Sequence, residues 1–349
     1  MDLQKQRQWL LHLGQRYRAV LISGVVVVLV IGGLITAVGG DPWLVMVTMA
    51  QGAFGTEAQT GRVLATVAPL LLCASGLIYT FAARLYNLGV EGQIVVGAIA
   101  TTAMMRWVET ADVSPWIGIP LGLVAGVVGG IVWGLLTAAL YLYGRINEIF
   151  AGLGLNFVAT GLAIYLIFGP WQRQGVASMS GTAPLADRYW LPSWGSTDAS
   201  PLALGLGLLA LGLTLVMVRG TYVGLRLRAV GQNRAAAFVL GIPADRYLLG
   251  AFCVCGALAG LAGAVQVLAV FHRLIPNISS GLGFLGLLVV LLVRANPWGI
   301  LPVAIFFSAL NVGSLQLPLT FDLESSLAGV IQGILVLAAL LGQGRQRTG

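Results

Sequence analysis

The run Asn87-Leu-Gly-Val-Glu-Gly-Gln93 places two amides and a carboxylate together between two long apolar stretches. Ionisable groups beside or within a membrane span carry protons, bind ions or face a polar cavity, and Glu91 is the one acidic residue so placed. Two other readings of the same run stand beside that one. Asn87, Gly89 and Gly92 are turn and helix-start residues, which puts Glu91 in a first helical turn, where a carboxylate complements the helix dipole. A helix broken at membrane depth would instead use Asn87, Glu91 and Gln93 to line a path, since irregular backbone is tolerated there only inside protein or beside a cavity. Further on, Gly144-Arg-Ile-Asn-Glu-Ile149 fits a short turn, and Asn156 follows about two turns into the next helix. An amide at that depth needs a partner across a helix interface or in a polar pore.

A third polar interruption, residues 224–247, has another character. Asn233 is a good N-cap, Arg234 to Leu240 is helix-compatible, and Gly241 followed by Pro243 is a strong stop. The resulting helix is about 10 Å long and cannot cross a hydrocarbon core of about 30 Å. An interfacial helix would carry its basic residues along one polar face. Here Ala235, Ala236 and Ala237 dominate, and Phe238, Val239 and Leu240 are free to fill a groove in another protein.

Enzyme chemistry is poorly supplied. A GxxxxGK[ST] phosphate loop needs a lysine, and the single lysine is Lys5 in the N-terminal tail. His12 and His272 assemble neither a metal site nor a Ser-His-Asp constellation. Cys73, Cys253 and Cys255 lie in apolar runs with a spacing that matches no zinc or redox pattern, which makes them helix-packing residues.

The elements that must position these residues follow from composition. Charged residues make up 9% of the 349 and hydrophobic ones 58%, with 48 glycines and a mean hydropathy of +0.92. A soluble chain carries about a quarter charged residues, so this is a polytopic, all-helical membrane protein. Apolar windows fall near 19–38, 63–83, 88–108, 116–143, 149–169, 200–218, 247–270, 297–316 and 325–342. Counting the shorter 281–293 as a helix that begins or breaks within the membrane gives about ten transmembrane helices. Ten would accommodate two five-helix halves of opposite topology, although no repeat is legible.

The 19–38 window is long enough to span, which favours a retained first helix over a signal peptide. With a cytoplasmic N-terminus, only Arg62, Arg106, Arg173, Arg188 and Arg273 of the 19 basic residues fall outside. The positive-inside rule then puts both tails, 1–18 and 343–349, and the loop 219–247 in the cytoplasm. The basic residues form no single face, which argues against nucleic acid as the partner of a chain with net charge +7. The outside loop 170–199 holds Trp171, Tyr189, Trp190 and Trp194, as an interfacial belt or a docking surface.

Four segments carry a family resemblance. Gly231-Gln-Asn-Arg-Ala-Ala-Ala-Phe-Val-Leu-Gly-Ile242 resembles the coupling-helix segment of permease subunits in binding-protein-dependent ABC importers for branched-chain amino acids, ribose-type sugars and nucleosides. Asn87 to Gln93, Asn147-Glu148 with Leu155-Asn156, and Ser280 to Gly286 with Asn296-Pro297-Trp-Gly299 are most similar to permeases that work with basic-membrane-protein-type lipoproteins, assigned to nucleoside uptake. The glycine-rich Gly152-Leu-Gly154 departs from that pattern and bears on the solute rather than on the transporter class.

The resemblance implies a second related permease subunit, a cytoplasmic ATPase with two nucleotide-binding domains, and an extracytoplasmic substrate-binding lipoprotein. It implies no cofactor in this chain, with ATP and Mg in the ATPase. The transmembrane permease domain would be 19–342, in the bacterial inner membrane. Asn87, Glu91, Gln93, Asn156 and Phe284 would line the substrate path. Gly231, Asn233, Arg234, Ala236, Phe238 and Gly241 would couple to the ATPase. The rival expectations are a stand-alone secondary transporter using Glu91, and a sugar or branched-chain amino acid permease of the same kind.

Overall fold

The computed structural model describes residues 29–37, 39–173, 181–195, 197–321 and 324–344, and every regular element among them is helical. The tail 1–18, the first half of the 19–38 window, 174–180 of the long loop and 345–349 lie outside the described residues. In chain order the elements are α1 (Leu29–Ala37), α2 (Pro42–Phe54), α3 (Glu57–Ala82), α4 (Val90–Thr110), α5 (Pro115–Leu142), α6 (Glu148–Phe168) and α7 (Pro201–Gly220). They continue with α8 (Tyr222–Gln232), α9 (Arg234–Val239), α10 (Ala244–Val265), α11 (Leu282–Leu292), α12 (Ile300–Ser314), α13 (Leu317–Phe321) and α14 (Leu327–Gly344).

Each of the ten apolar windows coincides with a helix: α1, α3 to α7, α10, α11, α12 and α14. Among the described residues six helical segments are long and apolar enough to cross a membrane, or seven spans if α1 and α2 form one bent span. α11 and α14 are shorter. α4 has the length but carries Glu91, Gln93, Thr101, Thr102 and Arg106, and it buries most of these polar groups inside the protein.

The chain divides into two units, residues 1–59 with 309–349, and residues 60–308. The first contains α2, which the apolar windows do not anticipate. At 13 residues α2 is too short to span. Its start is nonetheless written in the sequence, with Pro42 in the first turn and Asp41 accepting from the N–H of Trp43 at 2.8 Å and of Leu44 at 3.3 Å. α2 packs closely on the C-terminal part of α12, where a methyl group added at Gly52 would lie 2.9 Å from the Gly313 carbonyl oxygen.

The second unit is built on glycine. α5 buries Gly118, Gly122, Gly126, Gly130 and Gly134, spaced every fourth residue and therefore on one face of the helix. Much of the rest of α5, including Trp116, Val124, Val128 and Val132, is exposed. Gly256 and Gly260 of α10 meet that stripe, so that a methyl at Gly134 would lie 2.6 Å from the Phe252 carbonyl oxygen and one at Gly130 would collide with the Gly256 carbonyl. Without a hydrophobic force between helices in lipid, such backbone approach gives van der Waals contact that larger residues forbid.

The segment 181–195 closes one end of this unit. Thr182 N–H donates to the Leu274 carbonyl at 2.9 Å, Leu185 N–H to His272 at 2.8 Å and Leu191 N–H to Leu268 at 2.9 Å. Tyr189 is fully buried with its hydroxyl on the Val113 carbonyl at 2.8 Å, and Trp190 stacks on His272 at 3.8 Å. Burial lowers the His272 pKa from its ordinary value, against the opposing charges of Asp187 and Asp198. Tyr189 therefore belongs to the interior and to neither an interfacial belt nor a docking surface, while Trp190 is half-buried with one face on His272 and Trp194 remains exposed.

Gly130→Val should abolish the α5–α10 contact. Overpacking of this kind costs about 1–3 kcal/mol, with more expected where the neighbour is backbone. Size-exclusion chromatography and thermal unfolding of the purified chain should show aggregation or a clearly lowered Tm, whereas Gly205→Val, in open space on α7, should behave as wild type.

Candidate functional site

α3 ends at Ala82, and the chain turns through Arg84, in the left-handed region at φ 56°, before α4 begins at Val90. Asn87 organises this turn. Its Oδ1 accepts from Gly89 N–H at 3.1 Å, and its Nδ2 donates to Gln93 Oε1 at 3.3 Å and faces Cys255 Sγ of α10 at 3.2 Å. From α6, Asn156 grips the same segment with both ends of its amide. Oδ1 accepts from Gly92 N–H and Nδ2 donates to the Leu88 carbonyl, each at 2.8 Å. Neither Leu88 O nor Gly92 N–H is free to leave that grip without stranding a buried polar group, which costs about 1–3 kcal/mol.

Glu91 completes the arrangement. It lies in the first turn of α4, and its Oε2 accepts from Gly283 N–H at 2.8 Å, in the first turn of α11. Two helix N-termini thus converge on one buried carboxylate, and their N–H groups and dipoles supply the positive charge that no lysine or arginine provides. Gly281 precedes α11 at φ 74°, and a methyl at Gly283 would collide with the Glu91 carboxylate.

The structure brings together four of the five expected path residues: Asn87, Gln93 and Asn156, buried and hydrogen-bonded to one another or to the same turn, and Glu91, buried at the start of α4 and bonded across to α11. Phe284 follows Gly283 on α11 but is 42% exposed. Gly283 as the partner of Glu91 and Trp133 of α5 escaped the sequence reading. Trp133 Nε1 and Gln93 Nε2 are buried without a partner among the described residues, and a methyl at Gly92 would lie 2.9 Å from that indole nitrogen. The Ser280-Gly281 step before a short apolar helix was the available signal for an α11 that starts inside the protein.

The expected coupling segment is α8, α9 and the turn after them. Asn233 Oδ1 accepts from Ala236 N–H at 3.0 Å, capping α9, and Gly241 ends it at φ 75°. Arg234 pairs with Asp245 at the foot of α10 at 2.5 Å. Ala237 turns inward, while Phe238, Val239 and Leu240 are 74, 85 and 77% exposed. Gly231, at the end of α8, rests on the end of α3, where a methyl would lie 2.5 Å from the Ala82 carbonyl oxygen. An exposed apolar tip is thereby joined through α8 to the turn that Asn87 and Asn156 hold.

Residues 59–340 match the family described as the branched-chain amino acid transport system, permease component. The chain belongs to that family. Among its relatives, it is 27% identical to the guanosine ABC transporter permease protein NupP of Bacillus subtilis over 323 residues, 91% of this chain and 89% of NupP. It is 28% identical over 330 residues to the glucose ABC transporter permease protein TsgB13 of Haloferax volcanii, covering 90% of this chain and 84% of that one. With the nucleoside ABC transporter permease protein NupB of Lactococcus lactis it shares 29% over 272 residues, 75% of this chain and 74% of NupB. As a permease component it is a membrane part of a transport system and not its catalytic subunit.

The bonding of Glu91 in this permease gives a graded expectation. Glu91→Gln keeps an acceptor for Gly283 but loses the charge and turns the second oxygen into a donor, a cost of about 1 kcal/mol at a helix N-terminus. Glu91→Ala strands the α11 donor and should cost more, about 2–3 kcal/mol. Thermal unfolding of the purified chain should rank the stabilities wild type, Gln, Ala, and transport by the Gln variant should persist. Complete loss of transport in a stably folded Gln variant would point to proton or ion carriage by Glu91.

Proposed function

We propose that the chain is the membrane permease of an ABC importer that carries a small polar solute, with nucleosides as the substrate class. The solute assignment is supported by the relatives named for guanosine and nucleoside transport, and by the three segments 87–93, 147–156 and 280–299 that resemble nucleoside permeases. Similarity to a glucose permease over 90% of the chain keeps a sugar as the second reading. The expected partners are a related permease, a cytoplasmic ATPase with two nucleotide-binding domains that holds ATP and Mg, and an extracytoplasmic lipoprotein. Similarity to both NupP and NupQ in Bacillus subtilis, and to both NupB and NupC in Lactococcus lactis, supports a pair of unlike permeases. The arginine distribution supports a cytoplasmic position for α8, α9 and both termini.

One observation carries the mechanism: α9 is a capped helix whose apolar tip is exposed, whose Arg234 pairs with Asp245 of α10, and which follows an α8 whose Gly231 rests on the end of α3. A motor that grips Phe238, Val239 and Leu240 can move α8. Gly231 leaves no slack between α8 and the end of α3, so the motion reaches the turn at 83–89. Asn156 and Glu91 then pass it to α6 and α11, whose shift would open or close the solute path beside Gln93 and Phe284. Glu91 serves in this scheme as a fixed anchor with no proton to exchange.

The test is reconstitution of the chain with its neighbouring permease, ATPase and lipoprotein in liposomes. Nucleoside uptake and ATP hydrolysis should both require this chain. Ala236→Asp should insert normally but weaken ATPase association by about tenfold or more, since about 1.4 kcal/mol suffices for that factor. Normal co-purification of the ATPase with the Asp variant, or uptake driven by an ion gradient without ATP, would overturn the reading.

A further inference from the structure

On the side of α8 facing the end of α3 lies an open cavity of about 270 Å³, lined by Arg84, Arg219, Arg228 and Gln232 over an apolar floor that includes Ile78 and Phe81. Elsewhere the chain pairs arginine with aspartate, as Arg62 with Asp198, Arg188 with Asp112 and Arg234 with Asp245. None of the three arginines in the cavity has a carboxylate partner among the described residues. Arg219 is steered by a 2.6 Å bond from Nη2 to Asn296 Oδ1, and Arg228 Nε donates to the Gly224 carbonyl at 3.3 Å, which leaves the other N–H groups of each guanidinium uncommitted. The Arg84 guanidinium makes no ion pair and no hydrogen bond among the described residues.

The cavity lies between two helix ends: Arg84 at φ 56° caps α3, with Leu85 N–H on the Thr80 carbonyl, and Ala295 at φ 54° caps α11, with its N–H on the Val290 carbonyl. Guanidinium groups match phosphate oxygens in geometry as well as charge. The space exceeds what one water needs, about 30 Å³ of liquid volume, and the apolar floor offers no counter-charge.

We infer that this cavity is a binding site for a phosphate group, supplied free or as the headgroup of an anionic phospholipid. A phosphate there would bind the α3–α4 turn through Arg84 to α8 through Arg228. It would thereby stiffen the junction between the coupling segment and the transmembrane helices, so the site would adjust how firmly motion at α9 is transmitted. Binding itself is independent of the transport reading.

The test titrates the purified full chain with phosphatidylglycerol, phosphatidylcholine and inorganic phosphate, read by native mass spectrometry and thermal shift. The variants are the pair Arg84→Asn with Arg228→Gln, asparagine being tolerant of a left-handed backbone, and the control Arg226→Gln. Wild type should retain phosphatidylglycerol or phosphate in preference to phosphatidylcholine. The double variant should lose about tenfold or more in affinity, since each arginine near an anionic headgroup contributes about fivefold. Arg226→Gln, whose guanidinium faces Tyr247 and Tyr222, should bind as wild type. Displacement of the lipid by inorganic phosphate identifies a free-phosphate site, and retention against it identifies a lipid site. Equal affinity for phosphatidylcholine, or undiminished binding by the double variant, would overturn the inference. So would the absence of any anion binding in a chain whose double variant fails only in ATPase association, because the occupant would then be a partner's carboxylate.

Discussion

A carboxylate buried without a cation has to be stabilised by something, and here two helix N-termini do it. Glu91 belongs to the first turn of α4 and accepts from the first turn of α11. Because α11 has eleven residues, it must begin inside the protein, and its first N–H groups would otherwise be stranded there. One contact therefore offsets part of both costs, that of starting a helix at depth and that of burying a carboxylate. Asn156 fixes the same turn from α6 by holding Leu88 O and Gly92 N–H, so three helices are registered against a few residues of chain.

Glycine makes that registration possible. The stripe on α5 lets α10 and α4 approach backbone to backbone, and it leaves just enough room for Trp133 beside Gly92 and for Gln93 near Gly134. A bundle packed in this way has little freedom to slide, because any displacement meets main-chain atoms rather than flexible side chains. In the proposed mechanism motion would be directed to the parts that are joined by turns and caps: α9, α8, the 83–89 segment and α11. Membership of a permease family fits the proposed division of labour between a glycine-packed core and a chain of contacts from α9 to α11.

Much of the architecture was legible in the sequence because lipid imposes simple rules. Ten apolar windows mark ten helices, and Asn233, Gly241 and Pro243 delimit α9 to within one residue, since caps and stops are local chemistry. α2 escaped because its apolar run is shorter than a span, although Asp41-Pro42 announces a helix start. The site was half legible. The residue types of Asn87, Glu91, Gln93 and Asn156 declared them unusual, and the local Asn87–Gln93 bond lies within one short run, but Glu91 and Asn156 hold backbone groups of residues far along the chain. A backbone N–H such as that of Gly283 has no sequence signature. The aromatics of the 181–195 segment misled for the same reason, because whether a tryptophan faces lipid or stacks on a distant His272 is decided by tertiary pairing.

The central claim is that Asn156 and Glu91 convey motion from the α9 side of the chain to α11. Pulsed electron–electron spin resonance can measure it in the reconstituted complex, with labels at Phe284→Cys on α11 and Val124→Cys on the exposed face of the glycine-packed α5. The account predicts that ATP shifts the distance between these labels in the otherwise wild-type chain. In Asn156→Ala, with the ATPase still bound and active, the shift should disappear. An undiminished shift in Asn156→Ala would contradict the account.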